Sequence, residues 1–128
     1  MKSRSKILIA LSVLAAPQLA AQILEAADAP PRADYSPAQY LKNFALSACI
    51  AEGYRAGEVK QDGSAAAGGY LEFGSFPMEA YEKAAALGKT FLARDYRGKH
   101  GETLTLMKCI DLFHSRELEE LAREYGGK

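Results

Sequence analysis

The 128 residues include no tryptophan, only two cysteines and only two histidines. Cys109 and His114 are therefore the one thiol and imidazole near enough in sequence to suggest a metal site or a nucleophile with its base. Basic and acidic residues balance at 16 each, and without a basic patch nucleic acid is excluded as the expected partner. After the first 21 residues no apolar run approaches the roughly 20 residues that a membrane-crossing helix needs. Hairpin chemistry is also missing: only "TLTLM" briefly shows the two-residue alternation of a strand.

What is present begins with "MKSRSKILIALSVLAAPQLAAQ". Lys2, Arg4 and Lys6 precede an apolar run from Ile7 to Ala16, and small residues follow at Ala20 and Ala21. This is the layout of a secretory signal, expected over residues 1–21, with cleavage after Ala21 and Ala16 as the fallback. The leader holds three basic residues and no acidic one, so the exported chain carries 13 basic against 16 acidic residues. About 107 residues then remain, which is enough for one core. Residues 22–35, "QILEAADAPPRADY", are rich in alanine, proline and charge, and the Pro30-Pro31 pair forbids regular helix; a mobile N-terminus is expected there. Residues 36–128 form the single expected domain.

An even number of cysteines in an exported chain makes a Cys49–Cys109 disulfide the expectation, with two separately buried thiols as the alternative. Closing a loop of that length stabilises by about 4 kcal/mol in the chain-entropy model.

Five helical segments can be read. Ser36-Pro37 supplies an N-cap and a first-turn proline, and Leu41, Phe44, Ala45, Ala48 and Ala51 form the apolar stripe of a helix to about Tyr54, with Tyr40 and Cys49 at its edges. "RAGEVKQDG" reads as a turn, after which Asp62 or Ser64 caps a second helix. Gly68 and Gly69 inside that helix each cost about 1 kcal/mol relative to alanine, which predicts a closely passing backbone. A third helix opens at Pro77 with Tyr81, Ala84, Ala85, Gly88, Phe91, Leu92 and Tyr96 on its apolar side. A fourth is expected from Glu102 to about Phe113, burying Leu104, Leu106, Met107, Ile110 and Phe113. Ser115 caps the last, with Leu118, Leu121, Ala122 and Tyr125 at helical spacing. The fold class predicted is all-α, a compact bundle of four to five short helices with one disulfide.

Catalytic arrangements fare poorly. Residues five apart on a helix point about 140° away from each other, so Cys109 and His114 diverge, whereas ligands sharing a helix face stand three or four apart. His114 is expected to bond a carbonyl left free at a helix end. A Cys49 triad with His100 or His114 and Asp111 would need an exposed thiolate at a helix start, yet Cys49 lies inside a helix between Ala48 and Ile50. No serine sits in a Gly-x-Ser-x-Gly context. Glu117, Glu119, Glu120 and Glu124 suit the solvated side of an amphipathic helix, where the helix dipole also favours the first two. Neither an enzyme nor a metal or cofactor site is expected.

Four segments, "FALSACIAEGY", "GGYLEFGSFPMEAYEKA", "FLARDY" and above all "MKCIDLFHSRELEEL", resemble the immunity family that neutralises class-four type VI secretion amidases. The likeness spans about Tyr35 to Tyr125. It implies a helical periplasmic protein with one intramolecular disulfide and a homodimer as the working unit. It also implies a cognate partner, a secreted Cys/His peptidoglycan amidase of the papain-like kind whose active cleft is occluded. The best protrusion for that purpose is the loop "RGKHGE", where Arg97, Lys99, His100 and Glu102 are the expected effector-binding residues and Gly98 and Gly101 permit close backbone approach. The bland alternative for the loop is a solvated connection. Tyr70, Phe73 and Phe76 are read as core, or as a dimer seam. A second class of function, a helical periplasmic adaptor or cell-wall-associated structural protein, also fits the residues.

Overall fold

A computed structural model describes residues 34–127 apart from 56. The expected signal segment and most of the expected mobile N-terminus lie outside the described residues. Among the described residues five helices follow one another: α1 (Pro37–Gly53), α2 (Glu58–Phe73), α3 (Met78–Leu92), α4 (Thr105–Phe113) and α5 (Arg116–Gly126). Among the described residues there is no strand, and the all-α prediction holds.

The helix starts follow from local chemistry. Ser36 accepts from the Gln39 backbone N–H while the Gln39 side chain accepts from the Ser36 N–H, a reciprocal capping box reinforced by Pro37 in the first turn. Pro77 occupies the N-cap of α3, and the Ser115 hydroxyl accepts from the Leu118 N–H to open α5.

α1 is the central element and packs against each of the other four helices. Leu41, Ala45 and Cys49 of α1 meet Ala80, Tyr81, Ala84 and Phe91 of α3, Cys109 and Leu112 of α4, and Leu118, Leu121, Ala122 and Tyr125 of α5 in one core. Tyr81 stands edge-on to Phe44 with ring centroids 5.1 Å apart. Burial pushes its hydroxyl above the ordinary phenol pKa, opposed by the nearby Phe76 backbone N–H.

Two expectations about α2 need correction. The helix begins at Glu58, within the segment read as a turn, and its N-cap is Gly57 without a side-chain cap. Glu58, Lys60 and Gln61 are good helix formers, and α1 beside them supplies the packing. The close backbone approach occurs at Gly63, where an added Cβ would lie 3.1 Å from the Ala51 nitrogen and 3.2 Å from the Ser47 oxygen; Gly68 and Gly69 face open space. This neighbour also explains why Ser47 is buried on α1 although the predicted stripe omitted it.

Candidate functional site

Cys49 and Cys109 are joined, with Cα atoms 5.6 Å apart and sulfurs 2.09 Å apart. Both are essentially inaccessible to solvent. The bridge ties the middle of α1 to the middle of α4, and no thiol remains free. His114 is exposed at the end of α4, its ring edge-on to Phe113, and its backbone N–H, not its ring, bonds the Ile110 carbonyl. The expected ring-to-carbonyl bond is replaced by that stacking. Among the described residues no three of His, Cys, Asp and Glu gather to hold a metal.

α4 differs most from its expected face. It begins at Thr105, three residues later than predicted, because Leu104 adopts a left-handed conformation at its N-cap (φ 51°). The buried side is Lys108, Cys109 and Leu112, whereas Leu106, Met107 and Ile110 are 49%, 51% and 44% exposed. The apolar spacing suggested the wrong stripe because the disulfide turns the other one inward. Tyr96 likewise lies beyond α3 rather than on it.

The segment from α3 to α4 carries the candidate site. Its base is pinned by Lys108, whose ammonium donates to the Leu92 carbonyl at 2.9 Å and so satisfies an orphan acceptor at the end of α3. That ammonium also lies 5.9 Å from the centre of the Tyr96 ring. The Tyr96 hydroxyl donates to Asp111 Oδ2 at 2.7 Å. Above this base the Gly98 N–H bonds the Glu102 carbonyl at 2.9 Å, the Gly101 N–H bonds the Gly98 carbonyl at 3.1 Å, and Gly101 takes φ +88°. A closed turn results, of the kind that favours glycine.

All four expected contact residues share this turn and all are exposed. Arg97 Nε meets Asp95 Oδ1 at 2.9 Å. Lys99 stands at the tip beside His100, and Glu102 folds back so that its Oε2 accepts from the His100 backbone N–H at 3.1 Å. Lys108 and Tyr96 were not singled out as site residues from sequence, and Asp111 entered only as a member of the rejected Cys49 triad; a lysine beside a buried cysteine is the one signal that could have found the buried, partnered charge. Of the three aromatics read as core or seam, Tyr70 packs with Tyr35 and Tyr40, Phe76 with Tyr125, and Phe73 is 47% exposed.

Across the bundle, Lys42 of α1 meets Glu119 of α5 at 3.0 Å and lies 5.0 Å from the Phe113 ring centre. The hydrogen bond and charge of Lys42 hold the Glu119 carboxyl below its ordinary pKa. Lys83 of α3 donates to the Tyr125 hydroxyl at 2.9 Å and meets Glu79 and Glu124, and these partners push its pKa upward. These ion pairs sit at the surface and contribute little individually.

Comparison with known proteins gives the chain a family. Residues 39–122 match the family described as "Type VI secretion system (T6SS), amidase immunity protein" (Tai4). A solved structure of the Tae4/Tai4 effector–immunity system from Salmonella typhimurium is 40% identical, covering 70% of this chain and 88% of that one with a TM-score of 0.66. One from a study of type VI-secreted toxins and self-resistance proteins in Serratia marcescens is 25% identical, covering 76% and 85% with a TM-score of 0.65. The Tae4–Tai4 complex from Enterobacter cloacae, 24% identical, covers 73% and 96% with a TM-score of 0.64 and shows the same fold. No curated protein matches. The match over most of the described helices, together with the Salmonella likeness, shows that the chain belongs to the type VI secretion amidase immunity family and is an inhibitor, not an enzyme.

Proposed function

We propose that the chain works in the periplasm, exported by its N-terminal segment, as a homodimer that blocks the active cleft of a cognate peptidoglycan amidase of the Cys/His type. Membership of the amidase immunity family is the observation that carries this reading. A disulfide suits an oxidising compartment, and no described helix is long and apolar enough to cross a membrane. The loop at residues 97–102 is the plug, with Arg97 at its start, Lys99 and His100 at its tip and Glu102 at its return.

An inhibitor of a self-directed toxin must bind tightly, and a nanomolar dissociation constant corresponds to about −12 kcal/mol. Polar tips alone rarely supply that; a few desolvated apolar or aromatic anchors carry most of such energies. The loop runs directly into α4, whose outward Leu106, Met107 and Ile110 offer apolar area next to it.

The test is a peptidoglycan cleavage assay with the exported chain added to the type VI amidases of its own genome. Equimolar inhibitor should abolish the activity of one of them, and protection from none sinks the reading. Sedimentation of the inhibitor alone and in complex reads the dimer: a monomer at micromolar concentration in both states would remove it.

A further inference from the structure

The carboxylate of Glu102 was expected to face a partner, yet it bends back into its own loop. Its Oε2 accepts from the His100 N–H at 3.1 Å, and it lies so close over Gly98 that a Cβ there would collide with it. The same residue's carbonyl receives the Gly98 N–H at 2.9 Å. One residue therefore holds the loop from both its backbone and its side chain, across a turn with two glycines and no apolar support of its own. Without the clamp, Gly98 and Gly101 would leave this stretch to sample many conformations, since glycine loses more backbone freedom on ordering than any other residue.

We propose that Glu102 is a positioning residue of the inhibitory loop: it touches no partner itself, and by clamping the His100 N–H over Gly98 it presets the shape in which Lys99 and His100 meet the amidase. This rests on the amidase-blocking reading. A loop already fixed in its bound shape avoids the ordering cost at binding.

Gly98 provides the independent lever. No positive φ constrains it, and the atom that a methyl group would displace is the far end of the flexible Glu102 side chain. Gly98→Ala thus ejects the clamp while leaving the fold and Glu102 itself in place. Glu102→Ala deletes the clamp, and Glu102→Gln keeps an acceptor oxygen for the His100 N–H.

Two measurements separate the outcomes: amide hydrogen exchange at His100 in the free protein, and binding to the Salmonella typhimurium Tae4 amidase and to the amidases of the chain's own genome. Expected are unchanged thermal midpoints, faster His100 exchange in Glu102→Ala and Gly98→Ala, and roughly tenfold weaker binding for both, which is about 1.4 kcal/mol. Glu102→Gln should restore exchange and affinity to within about threefold of wild type. Wild-type affinity in both Glu102→Ala and Gly98→Ala overturns the inference, as does His100 exchange that none of the variants alters. Failure of the wild-type protein to bind any amidase would instead sink the amidase-blocking reading, and His100 exchange would still decide whether the clamp exists.

Discussion

Gly63 is the glycine of α2 that lies against the backbone of α1. A methyl group there meets Ala51 N at 3.1 Å, Ser47 O at 3.2 Å and Ile50 Cγ2 at 3.3 Å, and the first two are backbone atoms that cannot turn aside. Gly63→Ala should therefore cost about 1–3 kcal/mol despite alanine's better helix propensity. Gly68→Ala and Gly69→Ala meet nothing within 4 Å and should each stabilise by about 0.5–1 kcal/mol. Urea midpoints of the three variants check this, and a stabilising Gly63→Ala would refute the close approach. Glu119 makes a different residue-scale case. Because Lys42 holds its folded carboxyl below the ordinary range, the pair's contribution is present above the unfolded carboxylate's pKa and is lost as pH falls through the folded one. Wild type should thus exceed Glu119→Gln in Tm near neutral pH, and the gap should close as acidification carries the folded carboxyl through its lowered pKa, and shrink with added salt. A gap that widens on acidification contradicts the assignment.

At the scale of elements, α4 is nine residues long, shorter than an isolated helix can be and remain stable in water, so its tertiary anchors decide which side it buries. Lys108 is one of them. Lys108→Met preserves the buried stem but leaves the Leu92 carbonyl without its donor, a loss of about 1–3 kcal/mol. The same change frees the base of the 97–102 loop, so exchange at Tyr96 and Arg97 should rise in step; loss of stability without that rise would separate the cap from the loop. This helix also shows what a sequence conveys and what it withholds. Side-chain caps at α1 and α5, a start proline at α3 and clean periodicity made these three helices legible, down to all four buried residues of α5. α4 carries two possible stripes, Leu106, Met107 and Ile110 against Lys108, Cys109 and Leu112, and hydrophobic spacing selects the first. A disulfide and a snorkelled lysine choose the second, and both are long-range facts that periodicity does not encode. The loop was visible from its glycines and charges, whereas the inward turn of Glu102 depends on a side-chain conformation that no spacing rule predicts.

For the whole molecule, the bridge between Cys49 and Cys109 is the one covalent cross-link, tying the central helix to the half of the chain that carries the loop and α4. It spans 60 residues of sequence, for which the chain-entropy model gives about 4 kcal/mol, while a domain of this size has a total stability of about 5–15 kcal/mol. Oxidation therefore supplies a large share of the margin. Cys49→Ala, Cys109→Ala and the double variant open the same loop, so each should lose about 4 kcal/mol and the two single losses should not add. Wild type unfolded in dithiothreitol should fall to the level of the variants, and inhibition of an amidase should decline in proportion to the folded fraction. Denaturant unfolding with and without reductant, paired with the cleavage assay, gives both readings. A chemical role for one thiol would appear differently: one cysteine variant would lose inhibition while keeping its stability, and the other would not.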